Sequence, residues 1–215
     1  MEPIRRSILF DLDGTLTDNQ VGIFRCIHYA LKKLNIPLEE SADLRWCVGP
    51  PLHLSLTQLA GGNQDLGNQA LVLYRKRYTE IGLYENRLYD GILESLKFLY
   101  PHFALYVATS KPSVFAHKIL RHFNIDSYFK SIYGSELNGT LADKGELIGH
   151  ILKQEKLTDP VMVGDREHDV FGAKKNNIES IGVTWGFGSE EELRCAGAKI
   201  ILHHPVELFP AIKTL

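Results

Sequence analysis

The stretch SILFDLDGTLTD, residues 7–18, decides the fold. Four mostly apolar residues, Ser7 to Phe10, run without alternation into two carboxylates, Asp11 and Asp13, and then into Gly14 and Thr15. A short continuous apolar run suits a strand covered on both faces, as in a parallel sheet. Acids that follow such a strand stand beyond its carboxyl end, where ligands bind in open α/β sheets.

Similar runs recur along the chain: ALYVAT (104–109), SIYG (131–134), VMVG (161–164), SIGVT (180–184) and KIIL (199–202). Amphipathic segments lie between or after them, near 112–123, 142–156, 167–176, 189–196 and 205–212. Strand and helix in alternation predict an α/β fold with a doubly wound parallel sheet, Rossmann-like in its windings. One interval breaks the rhythm. Residues 17–86 hold no convincing strand, while DNQVGIFRCIHYALKKL (18–34) has apolar residues at 23, 27, 30, 31 and 34, a helical spacing. Asp18 or Asn19 is placed to cap that helix. LGNQALVLYRKRYTEIGL (66–83) reads as another. A structureless loop of that length is improbable in a compact domain. The expected organisation is therefore an α/β core over 1–16 and 87–215, with a small all-α cap domain over 17–86 inserted after the first strand. YENRLYDG (84–91) is the expected hinge.

The bulk numbers exclude several classes. At 215 residues, 44% hydrophobic and 23% charged, the chain is ordinary for a soluble protein. A net charge of −2 argues against binding a nucleic acid polymer. No apolar run approaches the roughly 20 residues that span a bilayer. The opening MEPIRRSILF carries no secretion signal, so a cytoplasmic location is expected. Cys26, Cys47 and Cys195 are too few and too scattered for a disulfide framework or a zinc site.

The residues at the strand ends suggest the chemistry. After the first strand come Asp11 and Asp13, and after the second Thr109, Ser110 and Lys111. Lys144 opens the helix after the third, and Asp165 and Asp169 follow the fourth. Carboxylates crowded together need a cation or a shared proton. Hard oxygen ligands suit Mg2+, which also accepts phosphate oxygens. Thr109 and Lys144 are groups that hold a phosphoryl oxygen, and the N–H groups of Leu12 to Thr15 would add an anion nest helped by Gly14. Metal, carboxylate, hydroxyl and lysine are the parts of phosphoryl transfer, and a carboxylate can itself be the nucleophile. The fifth run ends in TWGFGS and offers little obvious chemistry.

These motifs carry a family resemblance over nearly the whole chain. FDLDGTLTD (10–18), VATSKP (107–112), Lys144 and VGDREHDVFGAKKNN (163–177) resemble, in order, the four motifs of the haloacid dehalogenase superfamily. VGPPLHLSL (48–56) and GFGSEEEL (186–193) resemble its phosphoglycolate phosphatase and 5′-nucleotidase branch. The resemblance implies a Mg2+-dependent phosphatase of small phosphorylated metabolites, phosphoglycolate phosphatase-like with a 5′-nucleotidase as the alternative, working through an aspartyl-phosphate as a monomer or homodimer. It implies Asp11 as nucleophile and metal ligand. Asp13 would be the acid and base, with its carbonyl also on the metal, and Asp165 the third metal contact. Gly14, Thr15, Thr109, Ser110 and Lys144 would bind the phosphoryl group, with Thr109 and Lys144 also counted as catalytic, and Asp169 would support the site. The helical cap would close over the substrate and set specificity.

Rival readings follow from the same residues. A sugar phosphomutase shares the core motifs. A carbon–halogen hydrolase would lack Asp13 and need no metal. A pseudophosphatase serving as a binding module would show a decayed motif, and all four motifs are intact. Phosphoglycolate would call for a cation such as Arg45; a nucleoside monophosphate would call for an apolar shelf such as Trp46, Tyr84 or Phe187. Trp46 and Trp185 read as substrate contacts or, more simply, as packing residues, Arg45 and Lys111 as substrate contacts or, more simply, as exposed charges, and the nine histidines show no metal-ligand spacing.

Overall fold

The computed structural model describes residues 6–48 and 51–215. The N-terminal reading rests in part on residues 1–5 and the VGPPLHLSL signal on residues 49 and 50, which lie outside the described residues. The chain divides into two compact units, one formed by Met1–Thr17 with Leu88–Leu215 and the other by Asp18–Arg87. In chain order the strands are β1 (Ser7–Phe10), β2 (Thr17–Asp18), β3 (Arg87–Leu88), β4 (Ala104–Pro112), β5 (Ser131–Ser135), β6 (Val161–Gly164), β7 (Glu179–Val183) and β8 (Ile200–Leu202). The helices are α1 (Gln20–Lys33), α2 (Leu52–Leu59), α3 (Gln64–Arg77), α4 (Ile92–Leu99), α5 (Ser113–His122), α6 (Lys144–Glu155), α7 (Glu167–Lys175), α8 (Glu190–Ala196) and α9 (Leu208–Thr214). Among the described residues no helix is long and apolar enough to cross a membrane.

The first unit carries a six-stranded parallel sheet in the order β5-β4-β1-β6-β7-β8. All six apolar runs become its strands. From β1 the chain winds outward through β4 and β5, then returns past β1 to β6, β7 and β8. The order therefore reverses between β1 and β6, and the crevice of such a sheet opens at that point. Burial explains the composition of the strands. Ile8, Leu9 and Phe10 are fully buried, so both faces of β1 are covered. Leu9, Tyr106, Ala108 and Met162 form one core cluster with Leu147, Ile148 and Ile151 of α6 and Ala173 of α7. Phe10, one residue along and so on the opposite face, meets the Phe129 ring edge-on at 6.3 Å.

Three features differ from the expected pattern. The interval read as free of strands begins with β2, which pairs with β3 in a two-stranded sheet too short to show a strand pattern in the sequence. α4 lies just after the expected hinge, in a stretch to which the sequence reading gave no element. Its sequence ILESLKFL buries Ile92, Ser95, Leu96 and Leu99, a helical spacing confined to two turns. β4 runs on to Pro112, because its register against β5 shifts between Thr109 and Pro112. Such an irregularity re-aims side chains.

The second unit is helical. Ile23, Ile27, Ala30 and Leu31 of α1 are buried at the expected spacing. Asn19 occupies the N-cap position but makes no capping bond; Asp18 Oδ1 instead accepts from the Gln20 N–H at 3.3 Å. α3 continues into a π-helical turn, Tyr78–Gly82, with the Tyr74 and Tyr78 rings stacked at 5.3 Å. Glu85 gathers two guanidiniums. Arg77 donates to it at 2.8 and 3.1 Å and Arg25 at 2.8 Å.

Hydrogen bonds from Arg77 hold the Glu85 carboxyl below its ordinary pKa against partial burial, and Arg25 adds to the effect. Folding thus favours ionised Glu85. Its stabilisation is present above the unfolded-state pKa of about 4.3 and is lost as pH falls through the lower folded value. Glu85→Gln is expected to cost roughly 1–2 kcal/mol near pH 7 and progressively less in acid. Urea unfolding of parent and variant from pH 7 to pH 3 checks this; a pH-independent difference would count against it.

Candidate functional site

The site is built where β1 and β6 end. The Asp11 N–H donates to Val163 O at 2.9 Å, which ties the tip of β1 to β6. The chain then turns sharply. Leu16 and Thr17 N–H both donate to Leu12 O at 2.9 Å, and Gly14 N–H donates to Thr17 O at 2.8 Å. Leu12, between the two acids, is fully buried. Gly14 has φ +91°, and a β-carbon there would collide with the Asp165 carboxylate, so glycine is needed twice over.

Three carboxylates converge. Asp165 follows β6 and Asp169 lies in the first turn of α7. Oxygens of Asp11, Asp165 and Asp169, all buried, lie within 4.8 Å of one another. Lys144, the first residue of α6, reaches into this group from a helix capped by Asp143, whose Oδ1 accepts from the Glu146 N–H at 2.9 Å. Its ammonium lies 2.8 Å from Asp11 Oδ1, 2.8 Å from Asp169 Oδ1 and 2.9 Å from Ala108 O. The contacts to Asp11 and Ala108 are hydrogen bonds, and that to Asp169 is an ion pair.

The protonation equilibria report the same crowding. Burial pushes the Asp165 carboxyl well above its ordinary range, and the charges of Asp169 and Asp11 push it further. Burial also raises Asp169, with Lys144 opposing and Asp11 adding. For Lys144, burial alone would lower the pKa, but Asp11 and Asp169 overturn this and hold the ammonium charged. Three buried carboxylates face one ammonium here, and the donors are all hard oxygens. A divalent cation such as Mg2+ fits both the charge deficit and the donor type.

The remaining expected residues fall around this centre. Thr109 is buried at the β4 tip, where its hydroxyl accepts from the Lys111 N–H at 3.2 Å. The Ser110 hydroxyl is turned to Ala142 O at 2.9 Å. The anion nest expected over Leu12 to Thr15 is spent inside the loop at two of its members, since Gly14 N–H serves Thr17 O and Thr15 N–H points to Leu12 O at 3.4 Å. The buried Thr15 hydroxyl donates to Asp165 Oδ1 at 3.0 Å. In this structure Gly14 and Thr15 therefore serve the carboxylates.

Two contributions escape the sequence reading. Lys111, read as an exposed charge or a substrate contact, is half-buried, and its side chain, 7% exposed, pairs with Asp13 Oδ2 at 2.7 Å. The irregular end of β4 carries it there. The TWGFGS loop also contributes, since the Phe187 N–H donates to Asp165 Oδ2 at 2.9 Å. Its signal was topological: a glycine-rich loop ending the strand next to β6. In the helical unit, Arg45 is exposed as expected and is held by Asp43 through contacts of 3.0 and 2.7 Å.

Comparisons with known proteins give a family. A model described as haloacid dehalogenase-like hydrolase matches residues 8–183. A 5′-nucleotidase of Pseudomonas aeruginosa is 50% identical over 191 residues, 87% of this chain and 86% of that protein. The crystal structure of a predicted phosphatase from Clostridium acetobutylicum aligns with TM-score 0.92 at 42% identity, over 99% of this chain and 100% of that one. Tyrosine-protein kinase PtkA of Mycobacterium tuberculosis is 37% identical over 202 residues, 91% of this chain and 68% of that protein.

Removing the ammonium should expose the cost of the carboxylate cluster. Lys144→Met is expected to destabilise the protein by about 3–5 kcal/mol near neutral pH, the usual penalty for leaving buried charge without its partner. Chemical denaturation in metal-free buffer checks this; a loss below about 1 kcal/mol, the scale of a surface ion pair, would contradict the charge-balance account.

Proposed function

The chain belongs to the haloacid dehalogenase-like hydrolase family and is one of its phosphatases; we propose that it hydrolyses 5′-nucleotides with the help of Mg2+, using Asp11 as the nucleophile. The observation that carries this reading is the buried cluster of Asp11, Asp165 and Asp169 around Lys144 at the switch point of the sheet. Asp11 and Asp165 would hold the metal with the main-chain carbonyl of Asp13, and Asp169 would support them. When bound, Mg2+ neutralises these carboxylates and polarises the phosphoryl group.

The protein's own groups then divide the work. An Asp11 carboxylate oxygen attacks phosphorus, and the bond from phosphorus to the ester oxygen breaks. Asp13, held by Lys111, gives its proton to the departing alkoxide. In the second half, Asp13 takes a proton from water, the resulting hydroxide attacks phosphorus, and the bond to Asp11 breaks. Ester and water become alcohol and phosphate, and both aspartates are restored. Thr109 and the Ser110 amide bind phosphoryl oxygens, and Lys144 keeps the local charge in balance. The presence of Asp13 and Asp165 favours this chemistry over carbon–halogen hydrolysis, which would need neither.

The substrate class rests on two supports. The 50% identical relative is named a 5′-nucleotidase. The helical unit offers exposed aromatic surface at Trp46 and Tyr84, whereas the guanidinium that phosphoglycolate would call for, Arg45, is already paired with Asp43. The expected kcat/KM for 5′-mononucleotides is at least about tenfold above that for 2-phosphoglycolate, a difference of roughly 1.4 kcal/mol in transition-state binding. A screen of both classes with and without Mg2+ decides it, and the opposite ranking would move the assignment to phosphoglycolate. An added arm with ATP as phosphoryl donor covers the activity named for the mycobacterial relative. Asp11→Asn is expected to lower kcat by a factor of about 1,000 or more, because a carboxamide is a poor nucleophile. Parent-like turnover in that variant would refute the role of Asp11.

A further inference from the structure

The loop Thr184–Ser189 is anchored at both ends. Thr184 N–H donates to Leu202 O at 3.0 Å, and its hydroxyl lies 2.9 Å from His203 Nδ1. Ser189 caps α8, its Oγ accepting from the Glu192 N–H at 3.0 Å. Between these anchors Gly186 packs so closely on Gly14 O and Asp165 that a β-carbon would collide with both. Phe187 N–H serves Asp165 Oδ2 at 2.9 Å.

The other Asp165 oxygen is served from a different loop, by the Thr15 hydroxyl at 3.0 Å. The two supports are connected. The Trp185 indole N–H donates to Thr15 O at 2.9 Å. Trp185 therefore ties the loop that holds one carboxylate oxygen to the residue that holds the other. Groups that fix the orientation of metal ligands tune metal affinity as strongly as many direct contacts do. We propose that Trp185 is a positioning residue, which sets the plane of the Asp165 carboxylate for a divalent cation by bracing the Thr15 turn against the 184–189 loop. This rests on the reading of Asp165 as a metal ligand and goes beyond it, by assigning a residue that acts through Thr15.

The test is a calorimetric titration of the full chain with Mg2+, without substrate, on the parent, Trp185→Phe and Asp165→Asn, with the metal-free unfolding midpoint of each. The parent is expected to bind, Asp165→Asn to lose binding, and Trp185→Phe to bind about five- to tenfold more weakly. Its metal-free midpoint should change little, and its KM for substrate at saturating Mg2+ should match the parent, which a merely structural role would not produce. Should Trp185→Phe fold poorly, 3-benzothienylalanine at position 185 keeps the shape of the indole and replaces its N–H by sulfur; the same weakening is expected. Parent-like Mg2+ affinity in a folded Trp185 variant, with Asp165→Asn still deficient, would overturn this inference alone. Absence of Mg2+ binding by the parent would overturn the metal reading, and this inference with it.

Discussion

Three carboxylates are buried around one ammonium, and much of the sheet-bearing unit is arranged so that this can persist. Burying charge is costly unless it is paired and hydrogen-bonded. Each acid is accordingly held. Asp11 and Asp169 share Lys144, Asp165 takes the Thr15 hydroxyl and the Phe187 amide, and Asp169 also accepts from the Arg166 N–H at 3.2 Å. One ammonium still leaves negative charge in excess. Such an imbalance has a use where a cation and a phosphorylated ligand are to be bound, and perturbed groups cluster at such places.

The parallel sheet makes the arrangement possible. It gathers strand ends from distant parts of the sequence at one edge, and its reversal between β1 and β6 opens a crevice there. β1 and β6 deliver Asp11 and Asp165, β4 delivers Thr109, and the start of α6 delivers Lys144. β1 and β6 behind them are buried along their whole length, so the acids stand on a closely packed base. The turn after β1 gives Gly14 a conformation and a clearance that no side chain would share. Fold and site thus depend on the same few backbone positions.

Much of this was legible in SILFDLDGTLTD and the runs that repeat its pattern. Continuous apolar runs ending in chemistry-bearing residues predicted the sheet, and Asp11, Asp165, Asp169 and Lys144 meet as those strand ends imply. What escaped depended on neighbours that only the folded sheet supplies. Lys111 looked like any surface lysine until the irregular end of β4 turned it onto Asp13. TWGFGS looked featureless because its contribution is one indole N–H read as packing, one backbone N–H and close approach by glycine. α4 was missed although Ile92, Leu96 and Leu99 recur at helical spacing, because two turns are shorter than the window over which a period stands out. Of the two residues offered as caps for α1, Asp18 makes the local bond and Asn19 makes none.

The central claim is that Asp11, restrained by Lys144 beside Asp165 and Asp169, carries the phosphoryl group during turnover. The most direct test mixes the parent chain with 32P-labelled AMP and Mg2+ in a rapid-quench apparatus, reduces the quenched protein with borohydride, and maps its peptides. The account predicts transient label on the protein and, after reduction, homoserine at position 11. Phosphate release with no labelled protein at any time, and an aspartate at position 11 that survives reduction, would contradict it.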